Sequence, residues 1–256
     1  MKKPKAIFFD FDGTLLSQGQ LPNSAREALI YAKSKGVLLF VATGRHKCEF
    51  EHMPWLPSLP LDGFATMNGG YCYAGDKVLY KKVMDKKTVE MVVNQIKKDP
   101  FYCIFCEEHE AYVNMEDENA KALQESLGLP RPKVCDPTRA LNADIYQLVP
   151  CGVSVNSPFF QNLPNCEIAW WSDGGFDIGP QNVNKWEGIL NMLPHFGLNP
   201  GEVATIGDNQ NDIEMLQNAA FSIAMENGTE EAKKTAKHVT SHVDEDGILN
   251  AVKYLL

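Results

Sequence analysis

The sequence predicts an α/β fold in which a parallel sheet is flanked by helices and a second, smaller α+β unit is inserted into the chain. Three observations lead there. Short apolar runs alternate with amphipathic helical stretches at both ends of the chain. Several of those runs stop abruptly at acidic, glycine and hydroxyl residues, as strands do where they feed a ligand-binding edge. The alternation breaks near residue 82 and resumes near residue 185.

The first strand is the run Ala6-Ile7-Phe8-Phe9, which ends in Asp10 and Asp12. Residues two apart on an extended chain point the same way, so both carboxylates reach one small volume. Two anions that close repel unless a cation lies between them or one carries a proton. Gly13 and Thr14 then allow a tight turn and offer N–H and hydroxyl donors. Asn23 or Ser24 caps a helix whose Ala25, Ala28, Leu29 and Ala32 recur at helical spacing, with Gly36 closing it. Strands follow over 37–42, before Thr43-Gly44-Arg45, and over 64–67, before Asn68-Gly69-Gly70, which opens a hairpin through Lys81.

From about 82 the pattern is α+β. Val89, Val92, Val93 and Ile96 mark a helix; strands are expected over 102–107 and 111–114, a helix over 118–127, and strands near 145–149 and 167–171. Trp170, Trp171 and Phe176 either line a pocket here or fill the core, which is the commoner use of such a cluster. The first style returns at Lys185 with a helix to 196, a strand over 203–206, a helix from Asp212, a strand over 221–224 and a closing helix. The expected units are therefore 1–81 joined with 185–256, and an insert of 82–184.

Composition narrows the function classes. The 256 residues are 44% apolar and 22% charged, ordinary for a globular protein with a core and a smaller second unit. A formal net charge of −9, with no basic block to offset it, disfavours nucleic acid or an anionic membrane as partner. No apolar run approaches the roughly 20 residues that span a bilayer, and the Lys-rich start lacks a signal-peptide pattern, so a cytoplasmic protein is expected. The 7 cysteines suit reduced thiols. Cys103 and Cys106 would face opposite sides of a strand, and His238 and His242 read as strand and turn, so neither pair is taken as a metal site.

The chemistry gathers at a second acidic run, Gly207-Asp208-Asn209-Gln210-Asn211-Asp212, again after an apolar strand. Parallel strands open onto one edge, so Asp10, Asp12, Asp208 and Asp212 converge on an oxygen-rich site that suits a hard cation, Mg²⁺ before Zn²⁺. Thr43 adds a hydroxyl, Gly44 an unobstructed N–H and Lys185 a positive charge. Taken singly, each has a plainer use: Thr43 as a helix cap, Arg45 in a surface ion pair, Lys185 at a helix start.

Together these motifs resemble those of the haloacid dehalogenase superfamily, in particular its Cof-type phosphatases with a class IIB cap. Asp10-Phe11-Asp12-Gly13-Thr14 is similar to the first motif, Thr43-Gly44-Arg45 to the second, Lys185 to the third, and Gly207-Asp208 with Asn211-Asp212 to the fourth. Asn68-Gly69, the stretch Ala224 to Gly228, and Asp246-Gly247 resemble further Cof-type signatures. Trp186 and Gly228 depart from the pattern, where Gly or Ala and Ala are usual; the first bears on the cap hinge.

The resemblance implies a Rossmann-like core with the insert as cap. It implies Asp10 as nucleophile, forming an aspartyl phosphate. Mg²⁺ would be bound through Asp10, the Asp12 carbonyl and Asp208, with Asp212 acting directly or through water. Asp12 would be the general acid and base. Thr43, the N–H groups of Phe11 and Gly44, Lys185 and Asn211 would hold the phosphoryl oxygens. The implied substrate is a small phosphorylated metabolite, sugar phosphates foremost. Two alternatives stay open: phosphoryl transfer to a second sugar, as in mutase-like relatives, and binding of a phosphorylated ligand without catalysis. The sequence leaves the oligomeric state open.

Overall fold

The computed structural model describes residues 3–118, 121–122, 131–172 and 175–256. The chain begins with β1 (Ala6–Phe9), β2 (Leu38–Ala42), β3 (Gly63–Thr66), β4 (Tyr71–Ala74) and β5 (Lys77–Lys81). Next come β6 (Tyr102–Cys106), β7 (Ala111–Val113), β8 (Lys133–Val134), β9 (Gln147–Cys151), β10 (Cys166–Ser172) and β11 (Gly175–Pro180). The last three are β12 (Val203–Gly207), β13 (Phe221–Ala224) and β14 (His238–Val239).

These strands form two sheets. The larger has the order β14-β13-β12-β1-β2-β3-β4-β5. It is parallel from β14 to β3 and antiparallel through β4 and β5. β1 lies inside it, its Phe9 paired with Ile206 on one side and Val41 on the other. The chain therefore leaves β1, β2 and β12 at one edge, where the strand order reverses and ligands bind in such sheets.

Alternation along β1 builds the core on both faces. Ile7 and Phe9 pack on one side with the helices Asn23–Ser34 and Gly247–Leu255. Ala6 and Phe8 pack on the other with the helices Lys185–Met192 and Ile213–Asn218, Phe8 stacking on Phe40 at 4.5 Å. Trp186 is spent in this second layer. The helix expected to reach 196 gives way at Met192 to a 3-10 turn, Leu193–Phe196, because Pro194 has no N–H to continue the ladder.

The smaller sheet has the order β10-β11-β9-β6-β7-β8 and is antiparallel except between β7 and β8. The helix Lys86–Lys98 covers it, burying Val89, Val92, Val93 and Ile96 against Phe105, Phe176 and Ile178. Phe176 is thus core, Trp170 is exposed, and the side chain of Trp171 is outside the described set. The helix expected over 118–127 lies mostly outside the described residues. β11 is not foreseen: its glycines and Pro180 read as turn, while only Phe176 and Ile178 alternate inward. β8 and the short helices Pro158–Gln161 and Glu230–Thr235 were likewise unforeseen. Among the described residues no helix is long and apolar enough to cross a membrane.

Candidate active site

Asp10 sits one residue beyond β1, its N–H bonded to the Ile206 carbonyl at 2.8 Å. Asp208 and Asp212 follow β12, and Lys185 opens its helix behind Asn184, whose side chain caps the Glu187 N–H. The fully buried Lys185 ammonium donates to Asp10 Oδ1 at 2.5 Å and to Asp212 Oδ1 at 2.7 Å. The other oxygen of Asp212 accepts the N–H groups of Asp208 and Asn209, each at 2.9 Å. Thr14 donates its hydroxyl to Asp208 Oδ1 at 2.7 Å.

Asp10, Asp208 and Asp212 are all buried, and each offers an oxygen within 4.8 Å of the others. Glycines make the crowding feasible. A Cβ on Gly13, which is left-handed at φ 79°, would lie 2.5 Å from Asp208 Oδ2. A Cβ on Gly228 would meet the Asp208 carbonyl oxygen at 2.7 Å, so an alanine there would collide.

One ammonium faces three carboxylates, and the imbalance shows in their acidity. Burial, opposed by Lys185 but reinforced by Asp212 and Asp208, holds the Asp10 pKa well above the ordinary carboxylate range. Burial and then Asp212 push Asp208 up to about 7. Burial works against the Lys185 charge, yet Asp10 and Asp212 more than offset it and hold its pKa above the ordinary value. An all-oxygen donor set with excess negative charge fits a hard divalent cation.

Asp12 is placed differently. Its side chain, 45% exposed, takes a bidentate ion pair from Arg45, Nη2 to Oδ1 at 2.6 Å and Nε to Oδ2 at 2.7 Å. The Asp12 carboxylate therefore stands apart from the three-carboxylate cluster, and Arg45 is no surface pair. Arg45 is buried, 5.7 Å from the centre of the Phe11 ring, and its Nη1 has no hydrogen-bond partner among the described residues.

The remaining expected residues meet on the other side. Thr43 is buried; its N–H bonds Ala65 O at 2.9 Å and its hydroxyl accepts the Arg45 N–H at 3.1 Å. Gly44 O accepts Gln147 Nε2 at 3.0 Å, and Asn211 Nδ2 donates to Asn68 Oδ1 at 3.1 Å. Phe11 is fully buried with its ring against Phe50. Sequence reasoning missed Arg45, Asn68, Gln147 and Asp177 as parts of this site. The first two lie inside recognisable motifs. Gln147 and Asp177 lie within strands of the smaller sheet, where nothing local marks them.

Residues 7–252 match the family described as haloacid dehalogenase-like hydrolase. The chain is 28% identical to YkrA of Bacillus subtilis (strain 168), over 98% of this chain and 97% of that one. It is 25% identical to the 5-amino-6-(5-phospho-D-ribitylamino)uracil phosphatase YbjI of Escherichia coli (strain K12), over 98% and 96% of the two chains. It superposes on the subclass IIB sugar phosphatase BT4131 with a TM-score of 0.93 and 34% identity, covering 98% of this chain and all of that one. The protein belongs to the haloacid dehalogenase-like hydrolase family.

Proposed function

We propose that the protein is a Mg²⁺-dependent phosphatase of small phosphorylated metabolites, sugar phosphates foremost, working through an aspartyl phosphate on Asp10. The observation that carries this is the buried convergence of Asp10, Asp208 and Asp212 around Lys185. Asp10, Asp208 and Asp212, with the Asp12 carbonyl, would hold Mg²⁺, which supplies charge neutralisation where a carboxylate must approach a phosphate. BT4131 is a sugar phosphatase and YbjI acts on a phosphoribityl compound; both names denote phosphate esters of polyhydroxylated molecules.

The Asp10 oxygen not held by Lys185 attacks phosphorus, and the bond from phosphorus to the leaving alkoxide breaks. Asp12 protonates that alkoxide, then takes a proton from the water that attacks the aspartyl phosphate, releasing inorganic phosphate and restoring Asp10. Both Asp12 oxygens accept from Arg45 here, so before the first step Asp12 must leave one of those bonds and take a proton from water on the freed oxygen; the attacking water returns that proton for the next cycle. An alkoxide needs this proton and a halide does not, so Asp12 favours ester hydrolysis over dehalogenation. Thr43, the N–H groups of Phe11 and Gly44, Lys185 and Asn211 hold the phosphoryl oxygens. The insert 82–184 acts as the cap that shields the reaction from water. The free cysteines accord with a reducing compartment, and we place the activity in the cytoplasm.

A panel of phosphometabolites assayed with Mg²⁺ tests this. Sugar phosphates should be hydrolysed, with turnover removed by chelator, restored by Mg²⁺, and no longer responsive to Mg²⁺ in Asp208→Asn. Absence of hydrolysis across the panel, or chelator-insensitive turnover, contradicts the proposal.

A further inference from the structure

Asn68 makes more bonds than its turn requires. Met67 and Asn68 are both left-handed, at φ 50° and 51°, a conformation that side chains avoid and that persists where the surroundings impose it. The Asn68 side chain is 6% exposed. Its Oδ1 accepts Asn211 Nδ2 at 3.1 Å; its Nδ2 donates to Asp177 Oδ2 at 2.7 Å and lies 3.4 Å from Gln147 Oε1. Its backbone N–H donates to Thr43 O at 3.0 Å. Gln147 Nε2 in turn donates to Gly44 O at 3.0 Å.

These bonds close a ring through Asn68, Gln147, Gly44 and Thr43, with Asn211 and Asp177 attached. Thr43, Gly44, Asn68 and Asn211 come from loops at the edge of the larger sheet. Gln147 and Asp177 come from β9 and β11, neighbouring strands of the smaller one, and both are buried. The fit is close: a Cβ on Gly44 would stand 3.0 Å from Asp177 Oδ2 and 3.3 Å from Asn68 Oδ1. An amide meets the demands at 68, its oxygen accepting from Asn211 on one side and its nitrogen donating to a carboxylate on the other.

We infer that Asn68 is a positioning residue that ties the seating of the smaller unit to the grip on the phosphoryl group. With that unit seated, Gln147 and Asp177 fix the Asn68 amide, and Asn68 fixes Asn211 and the Thr43–Gly44 loop. When it lifts, the amide loses its acceptors and the phosphoryl-holding groups lose their alignment. The phosphate is then gripped only when the leaving group is also enclosed. This rests on the proposed function, since Thr43, Gly44 and Asn211 are the groups assigned there to the phosphoryl oxygens.

Asn68→Gly removes the amide while leaving the backbone free to stay left-handed, and Gln147→Met keeps the length of the side chain without its polar end. The full chain is assayed with Mg²⁺ for kcat and KM on p-nitrophenyl phosphate and on a sugar phosphate, for inhibition by inorganic phosphate, and for Tm. Each single variant should lose about tenfold in kcat/KM, the scale of one buried hydrogen bond left unmade, and weaken phosphate inhibition by a similar factor. The double variant should fall little further than the worse single one, because both act through one set of bonds.

Losses that multiply in the double variant, or a lowered Tm with phosphate inhibition unchanged, overturn the inference. If Asn68→Gly does not fold, Gln147→Met alone must still weaken phosphate inhibition, and failure to do so has the same force. Wild-type turnover with unaffected variants sinks the inference alone, whereas a wild type inactive on every phosphate ester sinks the proposed function and the inference with it.

Discussion

The larger and smaller sheets contribute to the site in different ways. The larger one delivers Asp10, Thr43 and Asp208 from the ends of adjacent parallel strands, and buries Asp10, Asp208 and Asp212 where each has a defined donor. The smaller one is a largely antiparallel sheet packed by Phe101, Phe160 and Phe176, and reaches the loops of Gly44 and Asn68 through Gln147, the first residue of β9, and Asp177 inside β11. At a strand end the chain turns through the site, so several consecutive residues serve it. Within a strand only alternate residues face one side, so a single polar side chain stands among core neighbours. Under the proposed function, the first arrangement carries the chemistry and the second aligns the loops assigned to the phosphoryl group.

The sharpest test of that division is Asp12→Asn. Loss of a general acid costs roughly 10²- to 10⁴-fold, and in kcat/KM, which reports formation of the aspartyl phosphate and not its hydrolysis, the cost should fall on sugar phosphates far more than on p-nitrophenyl phosphate, whose leaving group needs no proton. Equal losses of kcat/KM on both would remove the general-acid role from Asp12.

Phe176→Ala probes the other half. The ring is 1% exposed and 4.9 Å from that of Phe160, so truncation should cost about 3–5 kcal/mol by denaturant titration. The smaller unit should then unfold at lower denaturant than the larger, as a separate transition. One unchanged cooperative transition would mean that the seam holds the two sheets together more strongly than their separate cores suggest.

Glu49 gives the smallest effect, at that seam. Burial raises its pKa from 4.5 to about 7, with Arg45 opposing and Asp177 adding to the rise. A carboxyl whose pKa is higher in the folded state contributes stability that is fully present below pH 4.5 and is lost as the pH rises through about 7. Glu49→Gln removes that dependence, so the stability of the variant relative to wild type should grow across this window and level off above it. A difference that is flat with pH would place Glu49 in water.

The legibility of the sequence follows the same division. The order of strands and helices around Asp10, Thr43, Lys185 and Asp208 was readable because Asp10, Thr43 and Asp208 follow short apolar runs and the four motifs come in one order, although each residue singly has a plainer use. Arg45 was visible in its motif but its partner was not, since pairing with Asp12 joins loops that follow different strands. β11 was hidden by glycines and a proline that mimic a turn, and with it Asp177. Gln147 had no signal, because its bond to Gly44 spans 103 residues.

The most direct measurement is acid quenching of the Mg²⁺-loaded enzyme during turnover of a sugar phosphate, followed by proteolysis and mass spectrometry. A phosphoryl group should be found on Asp10 in the peptide that spans β1, and Asp10→Asn should carry none and lose on the order of 10⁴-fold or more in turnover. Steady hydrolysis without a covalent phosphoryl group, or with that group on another residue, would contradict the account.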